Sequence, residues 1–129
     1  MNKFSYRIYY EDTDAGGVVY YANYLKFYER ARTDLLRKME ISQKELMDQE
    51  KIAFVVRKCD IAYIKPAKLD DLVEIEIETK EIGSRTIDFE QKMTLDGQLL
   101  NKFNVQIVCI DSETFRPAII PNYIIQKLI

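Results

Sequence analysis

One change of hydrophobic period governs what this chain can fold into. From about Tyr21 to Met39 the residues Tyr24, Phe27, Tyr28, Ala31 and Leu35 recur at spacings of three and four. That is the apolar stripe of an amphipathic helix, with Lys26, Arg30, Asp34, Arg37 and Lys38 on the other face. Arg30 and Asp34 are spaced as an i,i+4 ion pair. Elsewhere the pattern is that of strands. Residues 3–10 are aromatic and β-branched, and residues 52–64 form an apolar run that Pro66 ends. In residues 72–78, Val73, Ile75 and Ile77 alternate with Glu74, Glu76 and Glu78, the mark of a half-exposed antiparallel strand. Residues 85–95 put Ile87, Phe89, Met93 and Leu95 on one face; Asp96-Gly97 is a tight-turn signal, and residues 99–110 return. A short helix is expected over 42–49, with Ser42 as N-cap and Glu45 three residues on. Pro121 suits the first position of a second short helix, 122–128. One long helix against one antiparallel sheet predicts an α+β domain spanning residues 1–129. Such a sheet has exposed edges, which dimerisation by edge pairing would satisfy.

Composition narrows the chemistry. The chain has 129 residues, with 19 Lys plus Arg against 21 Asp plus Glu, a net charge of −2. That balance argues against a nucleic-acid binder. Its two cysteines, Cys59 and Cys109, are too few for a disulfide scaffold. With no apolar signal core at the N-terminus and no run of membrane-span length, a cytoplasmic setting is expected. There is no histidine at all. Ser-His-Asp triads, Cys-His dyads and any His general base are therefore excluded.

The segment Tyr9 to Tyr24, YYEDTDAGGVVYYANY, differs from the rest. Glu11, Asp12 and Asp14 lie within four residues, Gly16 and Gly17 follow, and the helix begins. Acids before a helix can simply cap it and offset its dipole. They can also place a carboxylate, as nucleophile or base, beside unpaired helix-start N–H groups able to hold an oxyanion. That pairing suffices for acyl transfer without histidine. Asp12 reads as a partner that holds the loop, and Glu11 as solvated.

The run Y-Y-E-D-T-D-A-G-G-V-V-Y, followed by A-N-Y-L-K-F-Y-E-R-A-R-T-D-L-L-R, resembles the hot-dog-fold acyl-CoA thioesterases. The match is to the YbgC-type branch encoded beside the bacterial Tol-Pal envelope system, related to 4-hydroxybenzoyl-CoA thioesterase. Matching stretches at Ala53–Lys58, Pro66–Ile75 and Val108–Asp111 extend it over nearly the whole chain. The resemblance implies a five-stranded antiparallel sheet wrapped around one long helix, built as homodimers, often homotetramers, with active sites at the dimer interface. It implies that Asp14 is the catalytic carboxylate. The backbone N–H at Tyr21 would polarise the thioester carbonyl, with Gly17 and Val18 shaping the turn. Ser84, Arg85 and Thr86 would meet the CoA tail, and Arg57 and Lys58 are further candidates. Tyr20, with Tyr10 and Tyr24, is a candidate for lining an acyl pocket; Tyr24 and Tyr28 also suit the core. Asn23 would orient the helix start, line the pocket or act as N-cap. No metal is implied, and no cofactor beyond the CoA of the substrate.

Relatives in the branch carry His where this chain has Tyr21. A Tyr hydroxyl, with a reference pKa of about 10, is a poor base at neutral pH but can donate a hydrogen bond. The oxyanion role survives the change because it uses backbone. Hot-dog hydratases use a His with an acid, which this composition denies. The rival reading is a non-catalytic module binding acyl-CoA or acyl carrier protein, for which the intact D-T-D-A-G-G would be superfluous; a purely structural dimer is disfavoured by the same motif.

Overall fold

A computed structural model describes residues 2–129. Five strands form one sheet: β1 (Asn2–Arg7), β2 (Ile52–Tyr63), β3 (Leu72–Ile82), β4 (Thr86–Leu95) and β5 (Gln98–Asp111). Their spatial order is β1-β3-β4-β5-β2, and every neighbouring pair is antiparallel. The long helix α1 (Tyr24–Lys38) lies on one face; α2 (Gln43–Glu45) and α3 (Asn122–Leu128) are short. This is the α+β architecture expected.

The helical stripe does what its spacing requires. Tyr24, Phe27, Tyr28, Ala31 and Leu35 are buried, joined by Leu36. They meet the inward faces of β3 to β5, where Ile75, Ile77, Ile87, Phe89, Met93, Phe103 and Val105 are buried. Burying such a set is the main favourable term in folding. β3 continues past residue 78 to Ile82, but a bulge between Thr79 and Glu81 interrupts its alternation. Its glutamates face away from the helix, where Glu74 pairs with Lys3 (3.5 Å) and Glu78 with Lys80 (3.6 Å). Asp96 and Gly97 both take positive φ (49° and 81°), the backbone a two-residue hairpin turn needs.

Several boundaries differ from the sequence reading, each for a local reason. β1 stops at Arg7, and Tyr10–Asp12 form a 3-10 turn. A second 3-10 turn, Tyr21–Asn23, precedes α1, so the regular helix starts at Tyr24. Ser42 does cap α2, its Oγ accepting from Glu45 N at 3.3 Å, but the helix then widens into a π turn over Leu46–Glu50. Pro121 stands at the N-cap of α3 rather than inside it. Arg30 and Asp34 do not pair: Asp34 accepts from the Tyr6 hydroxyl and lies 3.5 Å from Arg37, while the Arg30 guanidinium sits 5.3 Å over the Phe27 ring. Tyr6 thereby ties β1 to α1.

The two edges of the sheet are unlike. β1 is short. β2 has twelve residues, pairs only with β5, and is largely exposed over Val55–Asp60. A bulge between Val56 and Lys58 sets Arg57 out of register.

Candidate active site

The Asp14 segment is a small hairpin pinned to the β2–β3 connection. Thr13 and Val19 form a bridge, and Asp14 N donates to Val18 O at 2.9 Å. Gly17 N closes the turn on Asp14 O at 3.0 Å, with Gly17 at φ +77°, the left-handed region that glycine enters without cost. The far side of the hairpin is stitched down: Val19 N donates to Ala67 O (2.9 Å) and Leu69 N to Gly17 O (3.2 Å). The hairpin rests on backbone from another part of the chain, which explains how an exposed loop keeps one shape.

The two aspartates divide the work. Asp12 is buried; its Oδ2 accepts from Tyr9 N at 2.8 Å, and its carbonyl accepts from Tyr20 N and from Asn23 Nδ2, both at 3.0 Å. It is the knot of the loop, as expected. Asn23 spends its side chain on that knot and makes no capping bond to α1. Asp14 is exposed. Its Oδ1 accepts from Gly16 N at 2.8 Å; its Oδ2 accepts from no protein donor among the described residues. A Cβ at Gly16 would stand 3.2 Å from Oδ1, so glycine leaves the carboxylate room for this contact.

Past the Asp12–Tyr20 rung comes Tyr21. Its N–H is the first of the 3-10 turn and meets no protein acceptor among the described residues. Its carbonyl accepts from the Tyr63 hydroxyl at 3.1 Å. Tyr21 and Tyr63 rings meet edge-on at 6.4 Å, and Tyr20 packs on Tyr21 at 4.9 Å. Tyr24 is core, as its place in the stripe requires, yet its hydroxyl accepts from Ala67 N at 3.0 Å and so holds the segment that holds the hairpin. Desolvation raises the Tyr24 hydroxyl above its ordinary pKa, with the Ala67 N–H acting against it. Val19, Tyr21, Tyr24, Tyr63, Lys65 and Pro66 border a cleft of about 280 Å³. Tyr10, by contrast, points out into solvent.

The other candidates lie elsewhere. Arg57, midway along β2, donates to Gln106 Oε1 at 2.9 Å. Ser84–Thr86 lies at the β3–β4 turn, where Gly83 N donates to Thr86 O; the Arg85 carbonyl accepts from Cys109 N at 2.8 Å, and its exposed guanidinium donates to Ser84 Oγ at 3.3 Å. The Asp14 hairpin is anchored just before β3, and this turn follows it. The eleven residues of β3 put about 35 Å of strand between them. Within the chain Asp14, Gly17, Val18, Tyr20, Tyr21 and Asn23 come together; Arg57, Ser84, Arg85 and Thr86 do not join them. Tyr63 is the residue the sequence reading missed. Nothing local marks it, since its contact with Tyr21 spans 42 residues.

The model of the thioesterase-like superfamily matches residues 9–128, from the hairpin to the last helix. The chain belongs to that superfamily. It is 46% identical over 123 residues to the acyl-CoA thioesterase YbgC of Haemophilus influenzae, covering 94% of this chain and 90% of that one. It is 46% identical over 122 residues to the acyl-CoA thioester hydrolase YbgC of Escherichia coli O6:H1, with the same coverage. Among solved structures, a probable thioesterase from Bartonella henselae superposes with a TM-score of 0.88 at 34% identity, over 92% of this chain and 98% of that one. The superfamily membership and the YbgC-type likeness expected from the D-T-D-A-G-G region therefore hold, and so does the hot-dog fold. Among the described residues, no helix of this superfamily member is long and apolar enough to cross a membrane.

Proposed function

We propose that this chain hydrolyses acyl-CoA thioesters to a free carboxylic acid and CoA. The observation that carries the mechanism is a hairpin carboxylate with one oxygen anchored and one open, followed by an unengaged N–H at the start of the adjoining 3-10 turn. Asp14 acts through Oδ2. It attacks the carbonyl carbon and expels the CoA thiolate, leaving an anhydride for water to open, or it takes a proton from the water that attacks. Either way one water is consumed: its hydroxyl ends on the acyl carbon and its proton on the CoA sulfur. The Tyr21 N–H faces the developing oxyanion; one such donor is worth about 3 to 4 kcal/mol of barrier. The reading needs no metal and no cofactor beyond the substrate's own CoA, and it belongs in the cytoplasm. An acyl carrier protein thioester presents the same reacting group and is a second substrate form.

The site is completed by a second copy. β2 ends at Tyr63, beside Tyr21, and begins at Ile52, two strands from the Ser84–Thr86 turn. Pairing β2 antiparallel with β2 of a partner reverses its direction. The Ser84–Thr86 turn of one subunit then approaches the Asp14 end of the other, with Arg57 near the middle of the seam. That supports Arg57, Ser84, Arg85 and Thr86 as contacts for the CoA phosphates across a homodimer. The exposed β2 edge needs such a partner in any case. Pairing of dimers into a homotetramer is part of the same proposal.

Steady-state hydrolysis of a ladder of acyl-CoA esters tests the mechanism, comparing wild type with Asp14→Asn. Turnover falls at least about a hundredfold with binding retained, the range expected for loss of a positioned acid–base group. Equal turnover in the variant removes Asp14 from the mechanism. Binding without turnover in wild type makes this a binding module.

A further inference from the structure

Tyr63 closes β2 and stands on fixed backbone. It lies opposite Asn101 in the β2–β5 register, and Asn101 is fully buried. Just past it, the N–H groups of Ile64 and Lys65 both donate to Leu100 O at 2.9 Å, so β5 holds the chain beyond the strand's last residue. From this base the ring reaches the 3-10 turn before α1. It is half exposed and packs on Tyr21, edge-on at 6.4 Å, and on Tyr24, tilted at 5.7 Å. Tyr24 is buried and is itself tied to Ala67 N through its hydroxyl.

The one polar atom of this side chain is spent on backbone. The Tyr63 hydroxyl donates to Tyr21 O at 3.1 Å. Tyr21 is the hinge between two planar peptides. The first, Tyr20–Tyr21, carries the N–H assigned above to the oxyanion. Its carbonyl, Tyr20 O, accepts from Asn23 N at 2.8 Å. The second, Tyr21–Ala22, is the one that Tyr63 grips. With both carbonyls held, the φ and ψ of Tyr21 are fixed, and so is the direction of its N–H. The bond accepted at Tyr20 O also polarises the N–H of the same peptide. Desolvation, then Tyr21 and Cys59, raises the Tyr63 hydroxyl above its ordinary pKa, so at neutral pH it stays protonated and donates. Both partners of this bond belong to one chain, so it does not depend on what covers the outer edge of β2.

Resting on the thioesterase reading above, we infer that Tyr63 is a positioning residue for hydrolysis: its hydroxyl holds Tyr21 so that the Tyr21 N–H is aimed at the oxyanion. Tyr63 acts through Tyr21 and on no reacting atom. Its effect belongs to the transition state, where charge grows on the oxygen that the N–H faces. Loss of the hydroxyl therefore appears in kcat and leaves KM nearly unchanged. A bond that served the fold alone would lower stability and leave kcat per folded molecule intact.

Tyr63→Phe keeps the ring and removes the hydroxyl. Its kcat, per folded molecule by urea unfolding, is measured on the acyl-CoA ester that wild type turns over fastest. It is expected to fall about tenfold with KM within about twofold, part of the loss that follows removal of a whole oxyanion donor. Isotope-edited infrared spectra of the same ester, labelled at its carbonyl carbon, give a second reading. Bound to Asp14→Asn, the ester's C=O stretch lies below its value in solution, because the Tyr21 N–H polarises it. Adding Tyr63→Phe moves the stretch back toward the solution value. An unchanged kcat in Tyr63→Phe overturns this inference and leaves the thioesterase reading standing. So does a rise in KM alone, which makes Tyr63 a wall of the cleft, or a C=O stretch indifferent to the hydroxyl. Impairment of Tyr63→Leu with Tyr63→Phe fully active assigns the effect to the ring and overturns it as well. Turnover of no ester by wild type overturns the thioesterase reading, and this inference with it.

Discussion

The core beneath α1 and the hairpin beside it are held together in opposite ways. Under α1 the cohesion is apolar: Phe27, Ala31 and Leu35 lie on the isoleucines of β3 and β4, and Tyr28 stacks on Phe103 at 4.6 Å. Even there three polar groups are enclosed. Tyr28 donates to the Asn101 side chain, Asn101 Nδ2 reaches Met93 Sδ at 3.8 Å, and Gln91 bridges Tyr28 O and Arg32. The hairpin has little apolar mass. Its shape comes from backbone bonds, from Asp12, and from a platform at Ala67–Leu69 held by Tyr24 and Asp71. A packed core tolerates no missing volume, whereas the hairpin tolerates loss of stability better than loss of geometry.

Substitutions that strike one region and spare the other would sharpen that contrast. Phe27→Ala should cost about 3 to 5 kcal/mol, the usual range for a fully buried aromatic, read from urea unfolding. A loss below about 1 kcal/mol would mean the α1 interface is not where cohesion resides. Tyr28→Phe keeps the volume and strands Asn101, so about 1 to 3 kcal/mol is expected. The same residue leaves a signature in base. Burial raises the Tyr28 hydroxyl well above the ordinary value of about 10, and burial followed by the Asp34 contact raises Tyr6 likewise. Folded pKa values above unfolded ones mean the contribution is complete below about pH 10 and is lost as pH rises through the folded values. Wild-type unfolding free energy should therefore fall above about pH 10, and less steeply in Tyr28→Phe; an unchanged slope would break the assignment. Asp12→Ala should have the smallest effect on stability, about 1 kcal/mol for its bond to Tyr9 N. Yet its acyl-CoA turnover should drop at least about tenfold, because Asp14 and the Tyr21 N–H lose their mutual placement. Unfolding and turnover measured on one preparation check this, and full activity would show that the hairpin keeps its geometry without Asp12.

Much of this molecule was legible in its sequence, for a reason common to the legible parts. Helix and strand periods, the Asp96-Gly97 turn, the Ser42 cap and the Asp14-Ala15-Gly16-Gly17 turn are local. A spacing of three and four, or of two, assigns a residue to a face before any neighbour is known. The absence of histidine left any chemistry to a carboxylate, Lys, Tyr, Cys or the backbone, and the order of motifs carried the family resemblance. The Asp12 knot was legible in outline, since one acid of the pair had to hold the loop. Only the tertiary structure decided what depends on distant partners. The Tyr63 hydroxyl meets the Tyr21 carbonyl, Arg32 settles on Gln91 across 59 residues, and Asp34 leaves Arg30 for Tyr6. The length of β3 sends Ser84–Thr86 to the far end of the sheet from Asp14. Composition and period register which face a residue occupies, but not which residue the fold sets against it. Burial and hydrogen bonding act across those long-range contacts, and there the site acquires its shape.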